Sequence, residues 1–408
     1  MAQRPVPDLE IALDRLTNAG LLFCRGVPPH SSYLFKHALV QDAAYATLLR
    51  VRRQQLHAAI AAALEREFPE IVAAQPELLA HHCTEAGLKQ QAIDNWRRAG
   101  ERAIEGSANL EAIAHLTRGL EILEDLPEGP RRDEKELAFQ VALLTPLFAA
   151  RFGSAEGERA AARALELSRR VGADQWSLFR ALFGLTMTYS VRGKIRIGRD
   201  IAEQLLVVGE RLHDPEPLGY AHHAMGNNLL WFGELGAARI HLEKGIALYQ
   251  PQWSRSLAFR FGFNCASNCH FFLGRVLWHL GYPDQALTCA EQAVAIAAAV
   301  SHPVSRAGAL SWAAALHQLR GEVGRARELA EIDLALTTEE ILPFFRSHAM
   351  ILRGWALVGQ GQGEEGIAQL REGLVAYRAT GADLECSHCS RFWQRPIAKT
   401  ASQRKDCV

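Results

Sequence analysis

The chain has 408 residues, space for roughly two to four domains, and its 49% apolar and 22% charged residues match an ordinary globular protein rather than a disordered one. Lys+Arg and Asp+Glu both number 45, a balance that speaks against a chain built to grip nucleic acid. Eight scattered cysteines, no apolar leader in MAQRPVPDLEIALDRL and no apolar run of about 18 residues point to a reducing, cytoplasmic setting without a membrane span.

In chain order, LEIALDRLTNAGLLF (9–23) reads as a helix that ends at Asn18-Ala19-Gly20 and runs into a short strand. FCRGVPPHSSYLFKH (23–37) places a turn at Gly26–Ser32 between two β-prone runs, which predicts a hairpin. Helices are expected from about Leu39 to Leu49 and from Arg52 to Phe68. A helix, a hairpin and further helices suggest the end of a winged-helix unit, with its start missing; residues 1–68 form this partial segment. Residues 69–130 then give the first repeat-like helices: Gly87 is preceded by Ala80 and Cys83 and followed by Ala92, Trp96 and Ala99. LEAIAHLTRGLEIL (110–123) continues them and LPEGP (126–130) closes them. Two more helices are expected from 134 to 171, the first kinked or split by Pro146.

Residues 131–384 hold the main repeat. Gly193, Gly233, Gly281, Gly321 and Gly361 each end an apolar stretch, at steps of 40, 48, 40 and 40 residues. A small residue follows five later, Gly198, Ala238, Ala286, Ala326 or Gly366, and another precedes by seven, Thr186, Gly226, Gly274, Ala314 or Gly354. Offsets of three, four and seven share one helix face, and small residues there let a second helix approach. Glycine ends the first helix by taking a backbone conformation other residues resist. Each unit is thus an antiparallel helix pair that buries its apolar face only by stacking on the next. The extra eight residues of the 48 step fall at QPQWSRSLA (250–258), where Pro251 predicts a longer loop. The fold class is all-α: a right-handed superhelical solenoid of helical hairpins, with the partial winged-helix segment at its front.

This glycine register resembles the tetratricopeptide repeat (TPR) with a longer step. YLFKHALVQDAAYATLL (33–49), RRQQLHAAIAAALE (52–65), PELLAHHCTEAG (76–87) and AIAHLTRGLEIL (112–123) resemble the arm that follows the ATPase module in a bacterial family. In that family a class III adenylate/guanylate cyclase, a STAND-type ATPase and a TPR array share one polypeptide. The resemblance covers roughly residues 9–384 and implies a regulatory arm. It does not carry the catalysis over. The sequence has no GxxxxGK[ST] loop, Gly193-Lys194 is followed by Ile195, and no sheet is available to hold cyclase aspartates. The expectation is a non-catalytic TPR scaffold that binds a protein or peptide, needs no cofactor and passes strain toward its N-terminus. The alternatives are a fragment of a cyclase–ATPase polypeptide or the arm of a STAND-type transcription regulator. From 385 to 408 the chain reads CSHCSRFWQRPIAKTASQRKDCV where another repeat helix would belong, which predicts a disordered basic tail and suggests an altered reading frame near residue 385.

Candidate chemistry is sparse. Cys386, His388, Cys389 and Cys407 offer four zinc ligands, although a single Cys-x-x-Cys without a matched second pair favours a disordered tail. Cys265 and Cys269 share a helix face as small buried hydrophobes. The adjacent pairs His81-His82 and His222-His223 point about 100° apart on a helix, so neither clasps an ion alone. Arg192, Lys194, Arg196 and Arg199 surround one turn as a solvated face or a site for an acidic partner. The remaining surface is the groove. Residues two, three, six, ten and thirteen before each glycine lie opposite the core stripe: Phe183 and Met187; Tyr220, His223, Asn227 and Trp231; Asn268, Phe271, Arg275, Trp278 and His279; His348 and Trp355. Aromatic, Arg and Asn side chains anchor peptides and partner helices, so Asn227, Trp231 and Arg275 lead the candidate partner site.

Overall fold

The computed structural model describes residues 6–26 and 31–384. Residues 27–30 of the expected turn and the tail 385–408, with its Cys386, His388, Cys389 and Cys407, lie outside the described residues. Two compact units divide the chain. One reaches to Ala99 and takes in Arg118–Asp125; the other holds Gly100–Thr117 and the chain from Leu126 on. Among the described residues the sheet content is a single two-stranded hairpin, and the rest of the regular structure is helical.

In the first unit, α1 (Val6–Asn18) leads into β1 (Leu22–Arg25), which pairs antiparallel with β2 (Ser32–Phe35), Leu22 opposite Phe35 and Arg25 opposite Ser32. There follow α2 (Ala38–Ala46), α3 (Arg50–Glu67), α4 (Pro69–Ala74), α5 (Pro76–Ala86) and α6 (Lys89–Glu105), the last crossing into the second unit. Pro69 and Pro76 open their helices at the position where a missing N–H is harmless. Ala80, Cys83 and Ala92 are fully buried where α5 meets α6, and the Trp96 indole N–H donates to the Thr84 hydroxyl at 2.9 Å.

After α7 (Asn109–Glu124) come α8 (Pro130–Ala150), α9 (Ala155–Val171), α10 (Gln175–Val191), α11 (Ile195–Arg211), α12 (Pro215–Phe232) and α13 (Leu235–Ala247). The unit continues through α14 (Ser254–Phe261), α15 (Cys265–His279), α16 (Pro283–Val300), α17 (Pro303–Leu319), α18 (Val323–Glu339), α19 (Pro343–Gly359) and α20 (Gly363–Ala379). The sequence chooses the starts by capping. Asp174 accepts from the Trp176 and Ser177 amides, Ser154 from Gly157 and Asn264 from Ser267.

The helix stops are equally uniform. Gly193, Gly233, Gly281, Gly321 and Gly361 all sit at φ between 72° and 87°, a left-handed conformation that side chains disfavour. Each glycine donates its N–H to the carbonyl three residues back, and the next amide donates to the carbonyl five residues behind it, as Lys194 does to Tyr189 and Glu234 to Leu229. That is a Schellman stop, which the left-handed glycine makes possible. In three of the pairs the small residues meet across the helix contact. A Cβ on Gly226 would lie 3.2 Å from the Ala238 carbonyl oxygen, one on Gly274 3.0 Å from Ala286 and one on Gly354 2.8 Å from Gly366. Ala238, Ala286 and Ala326 are fully buried.

Of the two outcomes expected at Pro146 the split does not occur: α8 runs through it as one helix, with Pro146 buried and the neighbouring Thr145 hydroxyl donating to the Arg260 carbonyl at 2.8 Å. One local expectation is corrected. The insertion at 250–258 is a 3-10 turn (Pro251–Trp253) followed by α14, not a loop. The reason is apolar. Phe261 stacks on Tyr220 with ring centres 4.2 Å apart and Phe263 is buried against Phe148, so an ordered segment is needed to bring both inside. Beyond α20 the chain returns to the start of the array: the Asp383 and Leu384 amides both donate to the Val191 carbonyl at 3.0 Å, and Phe152 meets Phe344 edge-on at 4.9 Å.

Candidate functional site

The inner faces of α8, α10, α12, α15, α17 and α19 converge on an aromatic hollow within the second unit. Its free volume is about 60 Å³, room for a side chain rather than a whole helix. Met187, His223, Asn227, Trp231, Asn268 and Phe271 line it, joined by Phe148, Phe152, Phe263, Phe272, Trp312, Phe344, Phe345 and Tyr377. The rings are mutually packed: Phe271 lies parallel to Trp312 at 5.5 Å, and Phe344 meets Phe345 at 5.0 Å in a T.

Polar groups are few and pointed. The Trp231 indole N–H donates to the Asn227 side-chain oxygen at 2.8 Å, which fixes that ring against α12. The Arg275 guanidinium lies between two indoles, 4.5 Å from the Trp231 ring and 4.9 Å from Trp312. His223 is 1% exposed and sits between the rings of Phe263 and Phe272, at 5.0 and 5.5 Å. Neither of its ring nitrogens has a hydrogen-bond partner among the described residues. Burial pushes its pKa down to about 3, so the ring is neutral, one nitrogen bearing a hydrogen and the other a lone pair. A buried polar group without a partner costs about 1–3 kcal/mol, and a site that tolerates one gains that much from any ligand that supplies the bond.

Some groove expectations need correcting. Tyr220 is 2% exposed, stacked on Phe261, and its hydroxyl donates to the Phe263 carbonyl at 2.8 Å; it holds the insertion in place and does not line the hollow. Trp278 packs half-buried against the main apolar cluster and is not among the lining residues. The physical reason for Tyr220 is the insertion itself, whose phenylalanines occupy the space an open groove would leave. The basic turn is also internally matched. Lys194 pairs with Glu158 at 3.0 Å, Arg192 pairs with the same carboxylate, and Arg199 pairs with Glu234 at 2.7 Å, so two carboxylates from neighbouring helices offset half of the charge of the four basic residues. Cys265 and Cys269 are buried thiols with sulfurs 3.9 Å apart.

Trp312 and Phe272 line the hollow from outside the expected stripe. Both stand nine before their glycine, one residue beside the position at ten, so a stripe wider by one step would have included them. Phe148 and Phe152 belong to α8 and its following turn, outside the register of the five glycines, and only the return of the chain on itself brings them to the same hollow.

No known family profile matches the chain. A curated relative, an uncharacterised protein of Rhizobium meliloti (strain 1021), is 24% identical over 377 residues, which is 91% of this chain but only 36% of the relative. Among solved structures, the Rap conjugation gene regulator of the plasmid pLS20, in complex with a Phr peptide, is 13% identical with a TM-score of 0.55, over 74% of this chain and 76% of that one. A STAND protein with a tetratricopeptide repeat sensor from Pyrococcus horikoshii is 13% identical with a TM-score of 0.43, over 90% of this chain and 58% of that one. At such identities likeness reports the fold alone, and the fold is a TPR-like solenoid of helical hairpins.

Proposed function

We propose that this chain is a non-catalytic TPR-like scaffold whose aromatic hollow receives a side chain from a peptide or protein partner. One observation carries the reading: His223, buried among rings, has two unsatisfied nitrogens on a cavity that also presents Asn227 and Asn268. An occupant with an apolar body and a polar tip would fill the space and satisfy the imidazole together. Arg275, held between Trp231 and Trp312, sits beside this hollow as a second anchor for the segment that carries that side chain. The likeness to a Rap regulator solved with a peptide supports a fold suited to this task.

The finer reading is that the scaffold is the sensor arm of a cyclase–STAND ATPase signalling polypeptide. Its support is the resemblance of 33–49, 52–65, 76–87 and 112–123 to that family, and a Rhizobium relative of which this chain spans 36%. Catalysis would then belong to other parts of such a polypeptide.

The test is selection of binding peptides against the full chain from a random displayed library, followed by titration of the survivors. The triple variant Asn227→Ala, Trp231→Ala, Arg275→Ala is expected to lose binding at least tenfold while keeping its far-UV circular dichroism. Peptides that bind wild type and folded triple variant equally well would place the partner site elsewhere.

A further inference from the structure

The first unit holds a separate cluster of imidazoles. His57 on α3 faces His81 and His82 on α5, and one ring nitrogen of each lies within 4.8 Å of the others. The His57 and His82 Nδ1 atoms are 2.7 Å apart, and the three ring centres are separated by 5.0 to 5.8 Å. On the second side of His57, Nε2 is hydrogen-bonded to the Tyr45 hydroxyl at 2.9 Å. His57 is buried, His82 half-buried and His81 exposed, so the cluster opens to solvent on one side.

We propose that His57, His81 and His82 form a three-imidazole site for a zinc-class divalent ion. Adjacent residues on one helix cannot clasp an ion by themselves, and α3 supplies the third ligand that the His81-His82 pair lacks. Zinc–nitrogen bonds of about 2.0–2.1 Å put tetrahedral ligand nitrogens roughly 3.3 Å apart, which the observed spread of 2.7 to 4.8 Å brackets. Small side-chain rotations close the set. Two Nδ1 atoms in hydrogen-bond contact share one hydrogen; a cation replaces it and takes both lone pairs. For His57 this requires Nε2 to carry the hydrogen and donate it to the Tyr45 oxygen, the outer hydrogen bond that orients ligating histidines in metal sites. Glu85 stands one turn beyond His81 on the same face and bears on both His57 and His82 electrostatically, adding negative charge beside the ion. Cys83 is fully buried in the core, so the donor set is nitrogen-only, the type that suits zinc, cobalt, nickel and copper rather than soft thiophilic ions. The fourth position is left to water. Bound there, the ion staples α3 to α5.

The experiment uses the full chain, stripped with chelator and titrated first with Co²⁺ and then with Zn²⁺. The expected result is one equivalent of Co²⁺ with visible d–d bands, no thiolate charge-transfer band, displacement by Zn²⁺ and a raised Tm. His81→Ala removes an exposed ligand and is expected to weaken binding on the order of 100-fold with an unchanged circular dichroism spectrum, and Tyr45→Phe roughly tenfold. Cys386→Ser with Cys389→Ser is expected to change nothing. A thiolate charge-transfer band, loss of binding in the double cysteine variant, an unaltered affinity in His81→Ala, or the absence of stoichiometric Co²⁺ binding would each overturn the site.

Discussion

Replacing Gly354 by alanine should separate α19 from α20. The new Cβ would lie 2.8 Å from the Gly366 carbonyl oxygen, 2.9 Å from the Leu370 nitrogen and 3.0 Å from Leu370 Cγ. Two of those atoms are backbone and cannot rotate away, so the helices must part by several tenths of an ångström along a buried seam. Overpacking of this kind costs about 1–3 kcal/mol, offset by the roughly 1 kcal/mol that alanine gains over glycine inside a helix. The net loss is then up to about 2 kcal/mol, which at roughly 2–4 °C per kcal/mol lowers Tm by up to several degrees. Gly324 supplies the control: it is exposed at the start of α18, and its Cβ would meet nothing within 4 Å. Gly324→Ala should therefore raise stability by roughly 0.5 kcal/mol through backbone entropy alone. Because Gly366 fails for the same reason, with 2.6 Å between its Cβ and the Gly354 oxygen, the double variant should cost less than the two single losses added. Urea unfolding followed by circular dichroism measures all four proteins. If Gly354→Ala is as stabilising as Gly324→Ala, the close approach of α19 and α20 is wrong, and with it the register deduced from the glycines.

Tyr220→Phe leaves the Phe263 carbonyl without the hydrogen bond that holds the insertion, and a loss of about 1–3 kcal/mol in urea unfolding is expected. Burial raises the Asp333 carboxyl well above its ordinary pKa, with one oxygen accepting from Ser311 and the other without a partner among the described residues. A raised carboxyl pKa favours folding fully below about pH 4 and progressively less as pH rises, so Asp333→Asn should stabilise at pH 7, on the order of 1–3 kcal/mol, and much less at pH 4. Burial acts in the opposite sense on His223 and His302, lowering them to about 3 and about 4. The unfolded chain takes up protons below pH 6.5 while these rings stay neutral in the fold. Each therefore removes up to roughly 1.4 kcal/mol of stability per pH unit from 6.5 down to its folded pKa. His223→Phe should flatten that acid slope in urea titrations between pH 7 and pH 4; an unchanged slope would show that His223 is protonated in the fold.

The sequence alone determined the repeat. Glycine stops, small residues five after and seven before, and apolar faces at helical spacing are local properties, and they are written into each unit with enough redundancy to be read without a partner. The hairpin of the front segment was legible for the same reason, since Leu22–Arg25 and Ser32–Phe35 flank a turn-rich stretch. Tertiary structure alone decided which faces line the hollow. Tyr220 and His223 are one turn apart on α12 and belong to one stripe, yet Phe261 at the end of α14 stacks on the first in the core, while the second packs on Phe263 beside the hollow. His57 and His82 are 25 positions apart, and Val191 bonds amides almost 200 residues later. Such meetings depend on how small rotations between successive helix pairs accumulate, and no single unit of sequence contains that sum.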